Sequence, residues 1–502
     1  MSLLAVDIGS STCKAVVFAT GGQILARHSC SYSPEFPAPS FAEMSPQNFW
    51  DAVCVCTRSV AQNLSDKVCA VGLSSHGETF LAIDAHGQPL SNAILNQDGR
   101  AIDESRWCEQ VVGRRQLFQV TGLIAHPMYP VPKILWLRKH RPEVFANTNC
   151  FVTLIGYLLG RMGFPTYVDY SLASRFLAFD VRKRDWSDEV LSATELSKGC
   201  VPLPVPTGTI AGKLRAEAAG ELGLPTGTPV IVGGHDQPCA AVGSGVISGG
   251  RVSDSIGTYE CLLATADEPT LNDKAWAGSL NSGCHVIPEK FATLAFFPSG
   301  IMVKWFHDLF YENGLGEPSA GAAAGDSASK HYEYLESHAP AGPTGLCITP
   351  HLIGTCNPDF NPRARGVIAG LTAETGRSHI YKGILEGIAC ELVIVAELLA
   401  EAVGEFEDVH VTGGGTRSAL GLQLRAAITG RRLHVMSTQE AVCLGTAILA
   451  GVAIGEYGSI REAVDGVVRE TNVVTPNDAL ASRYGEQLKR YKGLRSTLLQ
   501  QA

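Results

Sequence analysis

The chain has 502 residues, of which 45% are hydrophobic and 18% are charged, and its formal net charge at pH 7 is −9. This length predicts two or three domains, and the acidic balance disfavours a nucleic-acid or anionic-membrane surface, because no basic excess exists to release counterions. No apolar run is long enough to span a bilayer and no charged leader precedes an apolar core, so we expect a cytoplasmic protein with no nucleic-acid and no membrane partner.

Fifteen cysteines raise the question of a metal or disulfide site. Their number is odd, no Cys-x-x-Cys pair occurs, and the nearest pair, Cys54 and Cys56, falls in a predicted helix. Most cysteines have apolar neighbours, where a free thiol behaves as a small hydrophobic side chain. We therefore expect buried, reduced cysteines.

The first segment predicts two strands joined by a turn of small residues. The apolar runs Leu3–Val6 and Ala15–Ala19 flank the sequence Asp7-Ile-Gly-Ser-Ser-Thr-Cys-Lys14. Such a turn leaves backbone N–H groups free to bind phosphate oxygens, while Asp7 can hold a divalent cation and Lys14 can add positive charge. An ordinary β-hairpin with a glycine turn is the alternative, and this segment alone does not decide between the two.

The elements that follow are mixed. The sequence predicts strands over Leu3–Ile8, Lys14–Ala19 and Ile24–His28, a helix from Ser45 to about Leu64, and strands over Val68–Ser74 and Phe80–Asp84. This β-β-β-α-β order differs from the regular alternation of a doubly wound Rossmann sheet, and the glycine turn lacks the Gly-x-Gly-x-x-Gly spacing. A dinucleotide-binding domain is therefore disfavoured.

A second turn of the same character lies near the middle of the chain. In Asp254-Ser-Ile-Gly257-Thr258 a predicted strand again enters a Gly-Thr turn, and another strand follows. Two phosphate-type turns about half a chain apart predict two related lobes that bind one nucleotide. The later predicted elements are a mobile connection or weak helix over Gly316–Lys330, a helix over Ile380–Val403, a strand over Val409–Thr412, the turn Gly413–Gly415, and helices over Ser418–Thr429 and Ala479–Leu499.

With these elements in place, the chain resembles the FGGY family of carbohydrate kinases. The resemblance covers nearly the whole length and rests on five segments that are together specific. They are Asp7-Ile-Gly-Ser-Ser-Thr12, Gly233-Gly-His-Asp-Gln237, Ser255-Ile-Gly-Thr258, Thr412-Gly-Gly-Gly-Thr-Arg-Ser418 and Leu444-Gly-Thr-Ala447. Within the family, Thr121–Lys133 and Lys183–Asp188 are most similar to xylulokinases.

The resemblance implies an α/β protein with the duplicated actin/ribonuclease-H-like fold of sugar kinases, in which two lobes enclose a central cleft. It implies an N-terminal lobe over residues 1–245 with the sugar site, a C-terminal lobe over 246–470 with the adenosine site, and a helical extension over 471–502. ATP and Mg²⁺ are the implied cofactors and a small sugar or polyol is the implied partner, while a homodimer stays open.

The resemblance also implies roles for individual residues. Asp236 follows an apolar strand and a glycine turn and would accept the proton of the attacking hydroxyl, although such a residue can instead cap a turn or helix. Asp7 would hold Mg²⁺ through water. The implied ATP-binding residues are Gly9, Ser10, Ser11, Thr12, Lys14, Gly257, Thr258, Gly413, Gly414, Gly415, Ser418, Gln423 and Gly445.

The implied sugar pocket departs from both of the nearest patterns. Where this chain has His76-Gly-Glu-Thr79, xylulokinases usually have Gln-Met-His-Gly and glycerol kinases usually have Gln-Arg-Glu-Thr. Glu78 could accept two hydroxyl hydrogen bonds from a polyol, and Gly77 is expected to leave room for a substrate longer than glycerol. His126 is expected to pack at the rim. The implied substrate-binding residues are His76, Gly77, Glu78, Asp98 and Gln237.

Together these features predict an enzyme, a carbohydrate kinase that moves the γ-phosphoryl group of ATP to a primary hydroxyl of a small ketose. D-Xylulose is the best single guess, and glycerol, a tetritol or tetrulose, and L-ribulose stay open because of Glu78. A nucleotide switch of the actin or chaperone type is a remoter alternative, because it shares the phosphate turns.

Overall fold

Two mixed β-sheets and the helices on their faces organise the chain. A computed structural model describes residues 1–62, 64, 66–312 and 324–501. The strands of the N-terminal half are β1 (Ser2–Ile8), β2 (Thr12–Ala19), β3 (Ile24–Ser31), β4 (Glu43–Met44), β5 (Val68–Ser75), β6 (Phe80–Ile83), β7 (Ala93–Ile94), β8 (Cys150–Thr153), β9 (Val168–Asp169), β10 (Phe179–Asp180), β11 (Asp185–Trp186), β12 (Pro204–Val205), β13 (Ile210–Lys213) and β14 (Pro229–His235). The helices are α1 (Pro46–Ala61), α2 (Ile102–Val112), α3 (Arg114–Thr121), α4 (Pro130–His140), α5 (Pro142–Asn147), α6 (Leu154–Arg161), α7 (Tyr170–Ala173), α8 (Asp188–Ala193), α9 (Ala216–Leu222) and α10 (Asp236–Gly243).

The C-terminal half begins with the next strand. Its strands are β15 (Arg251–Ile256), β16 (Tyr259–Ala266), β17 (Asn281–Cys284), β18 (Phe291–Pro298), β19 (Cys347–Thr349), β20 (Val367–Ala369), β21 (Asp408–Thr412), β22 (Arg432–Met436) and β23 (Glu470–Val474). The helices are α11 (Asp273–Ala277), α12 (Gly300–His307), α13 (Ala324–Ser337), α14 (Arg377–Val403), α15 (Ala419–Thr429), α16 (Ala441–Ala453), α17 (Ile460–Val467) and α18 (Asp478–Gln501).

The two large sheets repeat one topology. The first has the strand order β13-β14-β5-β1-β2-β3, and the second has the order β17-β18-β16-β15-β21-β22-β23. In each sheet an antiparallel hairpin, β1-β2 or β15-β16, is extended by two strands parallel to its first member. The duplicated fold that the sequence predicted is confirmed, whereas the three residue ranges given for the domains stay a prediction.

Both faces of the first sheet are buried, which explains its apolar sequence. Leu4 and Val6 of β1 pack in the cluster that includes α1, whereas Leu3 and Ala5 pack in the cluster that includes α16. A strand covered on both faces needs apolar residues at consecutive positions instead of alternate ones. The edge strand β3 is covered less and is correspondingly polar.

The predicted elements agree with the structure to within a few residues at their ends. The helix expected from Ser45 starts with Ser45 at the N-cap and ends at Ala61, three residues before Leu64, although the Ser45 side chain makes no capping hydrogen bond. Of the predicted connection Gly316–Lys330, positions 316–323 lie outside the described residues, and α13 begins at Ala324. All fifteen cysteines are free thiols, as expected, but only eleven of them are buried, since Cys30, Cys69, Cys200 and Cys356 are half-buried. None of the helices that the structure describes is long and apolar enough to cross a bilayer.

Candidate active site

Three parallel strands bring the candidate catalytic residues to one edge of the first sheet. β1 and β14 lie on either side of β5, and Asp7 of β1 and Gly234 of β14 are both paired with Ser74. Strands two positions apart are separated by about 9–10 Å, and Asp236 follows Gly234 by two residues. The two aspartates therefore face the same space at the carboxyl ends of these strands.

Asp7 is held at the start of the first phosphate turn. The Ser74 hydroxyl donates a hydrogen bond to Asp7 Oδ1 at 3.0 Å. Burial raises the Asp7 pKa to about 6, although Ser74 and Lys14 both lower it. Among the described residues no group of three or more His, Cys, Asp or Glu side chains could hold a metal ion. A lone carboxylate fits an Mg²⁺ ion whose remaining ligands are water and phosphate, which is how this ion is commonly bound.

The first phosphate turn is rigidly closed and exposed at its tip. The Gly9 N–H donates to the Thr12 carbonyl at 3.0 Å. Tyr32 supports the turn twice, because its hydroxyl donates to the Gly9 carbonyl and its N–H donates to the Ser11 carbonyl at 3.0 Å. Ser10 and Ser11 are exposed, and Thr12 is half-buried, so these hydroxyls can reach a bound anion.

Lys14 forms an ion pair with a residue of the other half of the chain. It is paired with Asp7 in the β1-β2 hairpin, and its Nζ donates to Glu440 Oε2 at 3.0 Å. A phosphate at the turn would have to share Lys14 with Glu440 or displace Glu440 from Lys14.

Asp236 occupies the first position of α10, and the N-cap residue is His235. Burial raises the Asp236 pKa well above its usual range, and the nearby carboxylates of Asp7 and Glu78 raise it further. The Gln237 backbone and side chain hydrogen-bond the Asp236 carboxylate and partly offset this rise. A carboxylate with a raised pKa is a better proton acceptor than an ordinary aspartate, so the site suits general-base chemistry.

His235 lies against the candidate base as a neutral ring. Its Nε2 is 3.3 Å from Asp236 Oδ1, and burial lowers the His235 pKa to about 3. Because the ring is uncharged at neutral pH, the contact is not an ion pair there. The His235 backbone N–H donates to Ser171 Oγ at 2.9 Å, and Ser171 Oγ in turn donates to Asp169 Oδ2 at 2.5 Å. This chain of hydrogen bonds fixes the end of β14 and with it the direction of Asp236.

Glu78 is paired with an arginine that sequence reasoning missed. Arg175 Nε and Nη2 both lie 2.5 Å from Glu78 Oε1. Burial alone would raise the Glu78 pKa, but the Arg175 guanidinium outweighs it and lowers the pKa overall. Glu78 also has a positive φ of 64°, which turns its side chain towards Arg175 at some cost in backbone energy.

The expectation that Gly77 leaves room for a longer substrate is wrong. A Cβ atom on Gly77 would lie 3.1 Å from Arg175 Cγ and 3.3 Å from His235 Nε2. The space beside the glycine is therefore filled by the Arg175 side chain. A larger residue at this position would require Arg175 or His235 to shift by a few tenths of an ångström.

Other predicted pocket residues already have partners in the protein. His76 Nδ1 is 2.9 Å from the Ile8 carbonyl, and His76 Nε2 is 2.7 Å from Thr79 Oγ1. Asp98 accepts hydrogen bonds from the Arg100 side chain and from the Ala42 N–H. Both side chains thus support the pocket wall, and their contact with a substrate stays a prediction.

Lys133 and His126 line the same region without charge-pair partners of their own. Lys133 is fully buried and donates to the Leu95 carbonyl at 2.6 Å. Burial lowers the Lys133 pKa to about 7 and the His126 pKa to about 4. The His126 ring packs beside Phe360, and its place at the rim of the pocket stays a prediction.

The second phosphate turn is fixed to the start of α12. The Gly300 N–H donates to the Gly257 carbonyl at 3.1 Å, and the Ser299 and Ile301 N–H groups donate to the Thr258 carbonyl. Gly257 and Thr258 are exposed. The turn therefore offers its outer surface to a ligand while its carbonyl groups are occupied.

A buried ion pair lies directly beneath this turn. Glu260 accepts from Arg425 Nε at 2.9 Å, from Arg425 Nη2 at 2.7 Å and from Ser299 Oγ at 2.7 Å. The neighbouring Asp254 is fully buried. Burial and the Glu260 charge raise the Asp254 pKa well above its usual range. This cluster joins β15 and β16 to α12 and α15.

The three glycines of the Gly413–Gly415 turn have different surroundings. A Cβ on Gly413 would lie 2.6 Å from the Ile256 carbonyl, and one on Gly415 would lie 2.2 Å from Ile256 Cγ2, whereas no atom lies within 4 Å of a Cβ on Gly414. Packing on β15 thus explains two of them. Only Gly414 opens onto free space, where a nucleoside could approach.

The remaining nucleoside candidates are placed differently from one another. Ser418 caps α15 through the Gly421 N–H and donates to Glu336 Oε1 at 2.7 Å, and Gln423 is exposed on the same helix. Gly445 is buried where α16 crosses α10, because a Cβ there would lie 1.9 Å from the Cys239 carbonyl. The geometry supports a packing role for Gly445, and the expected nucleotide contact has no support from it.

Arg175, Glu260 and Arg425 are the functional candidates that the sequence analysis missed. Arg175 is the only charged residue in the otherwise uncharged run Ser171–Phe179, and an unexplained charge in such a run is a signal of a buried partner. Glu260 gives the same signal, because it interrupts the apolar strand β16. Arg425 lies on a helix with mixed polarity and gives no comparable signal.

Comparison with known proteins agrees with this geometry. Residues 2–243 match the N-terminal domain of the FGGY family of carbohydrate kinases, and residues 252–454 match the C-terminal domain of that family. The chain belongs to the FGGY family. It is an ATP-dependent carbohydrate kinase and thus a phosphotransferase, and the nucleotide-switch alternative has no support from the family match.

The relatives of this FGGY kinase differ in the substrate for which they are named. The chain is 26% identical to a gluconokinase of Bacillus subtilis over 96% of its own length and 93% of the relative. It is 29% identical to a xylulose kinase of Escherichia coli over 91% of each chain. The ligand-bound xylulose kinase of Lactobacillus acidophilus has the same fold, with a TM-score of 0.88, 22% identity, and coverage of 99% and 98% of the two chains. Membership of the family implies a small sugar-type substrate. The relatives do not identify which sugar it is, because they are named for different substrates.

Proposed function

We propose that this FGGY kinase transfers the γ-phosphoryl group of ATP to a primary hydroxyl of a small ketose, with D-xylulose as the leading candidate. The observation that carries the proposal is Asp236, whose carboxylate has a raised pKa and faces Asp7 across the edge of the first sheet. Phosphoryl transfer to an alcohol needs a proton acceptor on one side and charge neutralisation on the other, and in this proposal Asp236 and Asp7 supply them.

In this proposal the residues around the site have separate roles. Asp236 takes the proton of the attacking hydroxyl, while the His235 and Gln237 contacts fix the direction of the carboxylate. The N–H groups and hydroxyls of the first turn, with Gly257 and Thr258 opposite, hold the phosphates. When Mg²⁺ is bound near Asp7, it offsets the charge of the phosphate groups.

A second candidate is a kinase for glycerol, a tetritol or tetrulose, or L-ribulose. The observation that favours it is the Glu78–Arg175 pair, since glycerol kinases usually carry Arg and Glu at consecutive positions and this chain supplies the two groups from distant segments. Gluconate is a further candidate because one of the relatives is named for it.

A coupled assay of ADP release over a substrate panel tests the proposed function. The panel contains D-xylulose, L-ribulose, D-erythrulose, erythritol, glycerol and D-gluconate, each supplied with MgATP. We expect D-xylulose to give the highest kcat/KM and the product to carry phosphate on a primary oxygen. If no panel member stimulates ADP release above the rate with ATP alone, the proposed function is refuted.

A further inference from the structure

Two polar groups beside Asp236 are held in place by each other and still have unused bonding capacity. Arg175 Nε donates a hydrogen bond to one oxygen of Glu78, Oε1, and Arg175 Nη2 forms an ion-pair contact with the same oxygen. None of the described residues donates a hydrogen bond to the other oxygen, Oε2. Within the described part of the chain, the only buried side-chain polar atoms without a partner are the Asp254 carboxylate oxygens. Glu78 Oε2 is therefore open to solvent-accessible space.

The guanidinium has spare donors at the same place. An arginine carries five N–H groups; Nε donates to Glu78, Nη2 contacts the same carboxylate oxygen, and the Tyr129 hydroxyl interacts with the guanidinium as well. At least two N–H groups of Arg175 remain. Tyr129 itself is fixed by a 2.6 Å hydrogen bond from its hydroxyl to Asn281 Oδ1, and its ring lies 5.4 Å from the Arg175 guanidinium carbon.

The pair is positioned rigidly next to the candidate base. Arg175 is 6% exposed and Glu78 is 8% exposed. Arg175 fills the space beside Gly77 and so touches the same wall as His235, which lies 3.3 Å from Asp236. The charge of Glu78 also contributes to the raised pKa of Asp236. An alcohol that gives its proton to Asp236 thus has other parts within reach of the pair.

The pair is electrically neutral, and this limits the substrates that it can accept. Burial opposes both charges, but each partner stabilises the other, so the Glu78 pKa is lowered and the Arg175 pKa is raised. His76, His126 and His235 have lowered pKa values and are uncharged at neutral pH. A substrate carboxylate placed here would be repelled by the Glu78 and Asp236 carboxylates, while the positive charge of the Arg175 guanidinium is already balanced by Glu78.

We propose, on the basis of the proposed kinase function, that Arg175 and Glu78 form a specificity site for two neighbouring hydroxyls of an uncharged polyol or ketose and exclude aldonates. One hydroxyl donates to Glu78 Oε2, and the adjacent hydroxyl accepts from an Arg175 N–H. A donor–acceptor pair with fixed spacing matches a vicinal diol. It rejects an analogue that lacks one hydroxyl, because a buried group then loses its partner.

Substrate discrimination in Arg175→Met tests the diol contact. The best uncharged panel substrate is compared with its analogue that lacks one hydroxyl of the diol, in the full-length wild-type and variant enzymes. We expect Arg175→Met to lower kcat/KM for the complete substrate at least a hundredfold and for the deoxy analogue only a few-fold, with the KM for ATP unchanged. An equal loss for both compounds would assign Arg175 a structural role and overturn the proposal.

Glu78→Gln tests the exclusion of aldonates. This change frees the guanidinium and removes a repelling charge, so we expect the ratio of kcat/KM for D-gluconate to that for the best uncharged substrate to rise at least tenfold. A ratio within twofold of the wild-type value would contradict the proposal. Arg182→Met is the matched control, because Arg182 is an exposed arginine seven residues further along that binds the Gln119 carbonyl; both ratios should stay at their wild-type values.

A double variant separates folding from recognition. Arg175→Met leaves a buried carboxylate unpaired and can destabilise the protein, whereas Glu78→Gln/Arg175→Met removes both charges. The double variant should melt near the wild-type temperature and still lose discrimination against the deoxy analogue. Retained discrimination in the folded double variant would refute the specificity site. If the wild-type enzyme phosphorylates no panel compound, the proposed function fails independently of these variants.

Discussion

Asp236 is arranged for chemistry at the expense of stability. Burial and the charges of Asp7 and Glu78 raise its pKa, which means that the folded protein opposes the ionised form. Since the unfolded chain ionises the same residue with a pKa near 4, the ionised Asp236 destabilises the fold at neutral pH. The same unfavourable environment of the ionised form makes the carboxylate a stronger base.

Replacing the base should therefore exchange activity for stability. We expect Asp236→Asn to lower kcat by about 10²–10⁴-fold, the usual contribution of a general base, and to raise Tm at pH 7–8. The folded pKa lies above the unfolded one, so the gain in Tm is complete above the folded pKa and fades as the pH falls to about 4, where wild-type Asp236 is protonated in both states. Thermal melting of both proteins from pH 4 to pH 8 measures this.

Two outcomes of that experiment would contradict the assigned role. A variant that keeps more than a tenth of the wild-type kcat would exclude Asp236 as the base. A gain in Tm that is constant from pH 4 to pH 8 would show that the effect does not come from ionisation. For the wild-type enzyme, kcat/KM should fall on the acid side with an apparent pKa above that of an ordinary aspartate.

The sequence identified Asp236 and Asp7 for a local reason and missed Arg175 for a non-local one. Each aspartate follows an apolar strand, and parallel strands place their carboxyl ends together, so the pattern predicts the meeting point. The contact between Arg175 and Glu78 joins residues 97 positions apart. Glu78 follows β5 and Arg175 follows α7, so the contact depends on how α7 packs against β14, the neighbour of β5. No periodicity within either segment encodes this packing. The glycine at position 77 was visible, but the side chain that fills its space was not.

At the scale of elements, the second phosphate turn depends on a buried brace. The turn between β15 and β16 is fixed to α12 by backbone hydrogen bonds, and Glu260 ties α12 and α15 to the sheet through Ser299 and Arg425. α15 also carries the nucleoside candidates Ser418 and Gln423. β15, β16 and α15 were predicted from the sequence, but α12 and the ion pair that sets the relative positions of these elements were not.

Breaking the brace should weaken ATP binding together with the fold. Glu260→Gln leaves the buried Arg425 charge without its counter-ion, and breaking a buried pair on one side typically costs about 3–5 kcal/mol. We expect a loss of unfolding free energy in this range by urea denaturation. The KM for ATP should rise several-fold while the KM for the sugar changes little, because the residues predicted to bind the sugar lie in the other half.

A surface pair provides the matched control for this loss. Glu407 pairs with Arg432 at 3.1 Å, and both side chains are largely exposed, so Glu407→Gln should change stability by less than about 1 kcal/mol. The double variant Glu260→Leu/Arg425→Met should recover most of the stability lost in Glu260→Gln, since no unpaired charge remains. Equal stability losses in Glu260→Gln and Glu407→Gln would show that the brace is not important.

At the scale of the whole molecule, one helix crossing connects the candidate base Asp236 to both sheets. α10 begins with Asp236 and leads towards β15, and α16 packs on β1 and β5 of the first sheet. The two helices contact through glycines on each side. A Cβ on Gly243 would lie 1.9 Å from the Ala441 carbonyl, and one on Gly445 would lie 1.9 Å from the Cys239 carbonyl. The duplicated halves are thus joined where the helix backbones touch.

Separating these helices should impair catalysis by displacing Asp236. In Gly445→Ala the new methyl group forces α16 away from α10, at a cost of about 1–3 kcal/mol for overpacking. Asp236 moves with α10, and a displacement of the order of 1 Å can reduce the rate about a hundredfold. We therefore expect a lower Tm and a fall in kcat of about tenfold to a hundredfold, measured by thermal melting and by the coupled assay.

The same substitution in another helix shows whether the crossing is responsible. No atom lies within 4 Å of a Cβ on Gly493 in α18, so Gly493→Ala should raise stability by about 0.5–1 kcal/mol through helix propensity and leave kcat unchanged. The two variants add the same methyl group to a helical glycine, and only one of them meets a backbone carbonyl. If Gly445→Ala keeps the wild-type Tm and kcat, α10 and α16 can separate freely, and the position of Asp236 does not depend on their contact.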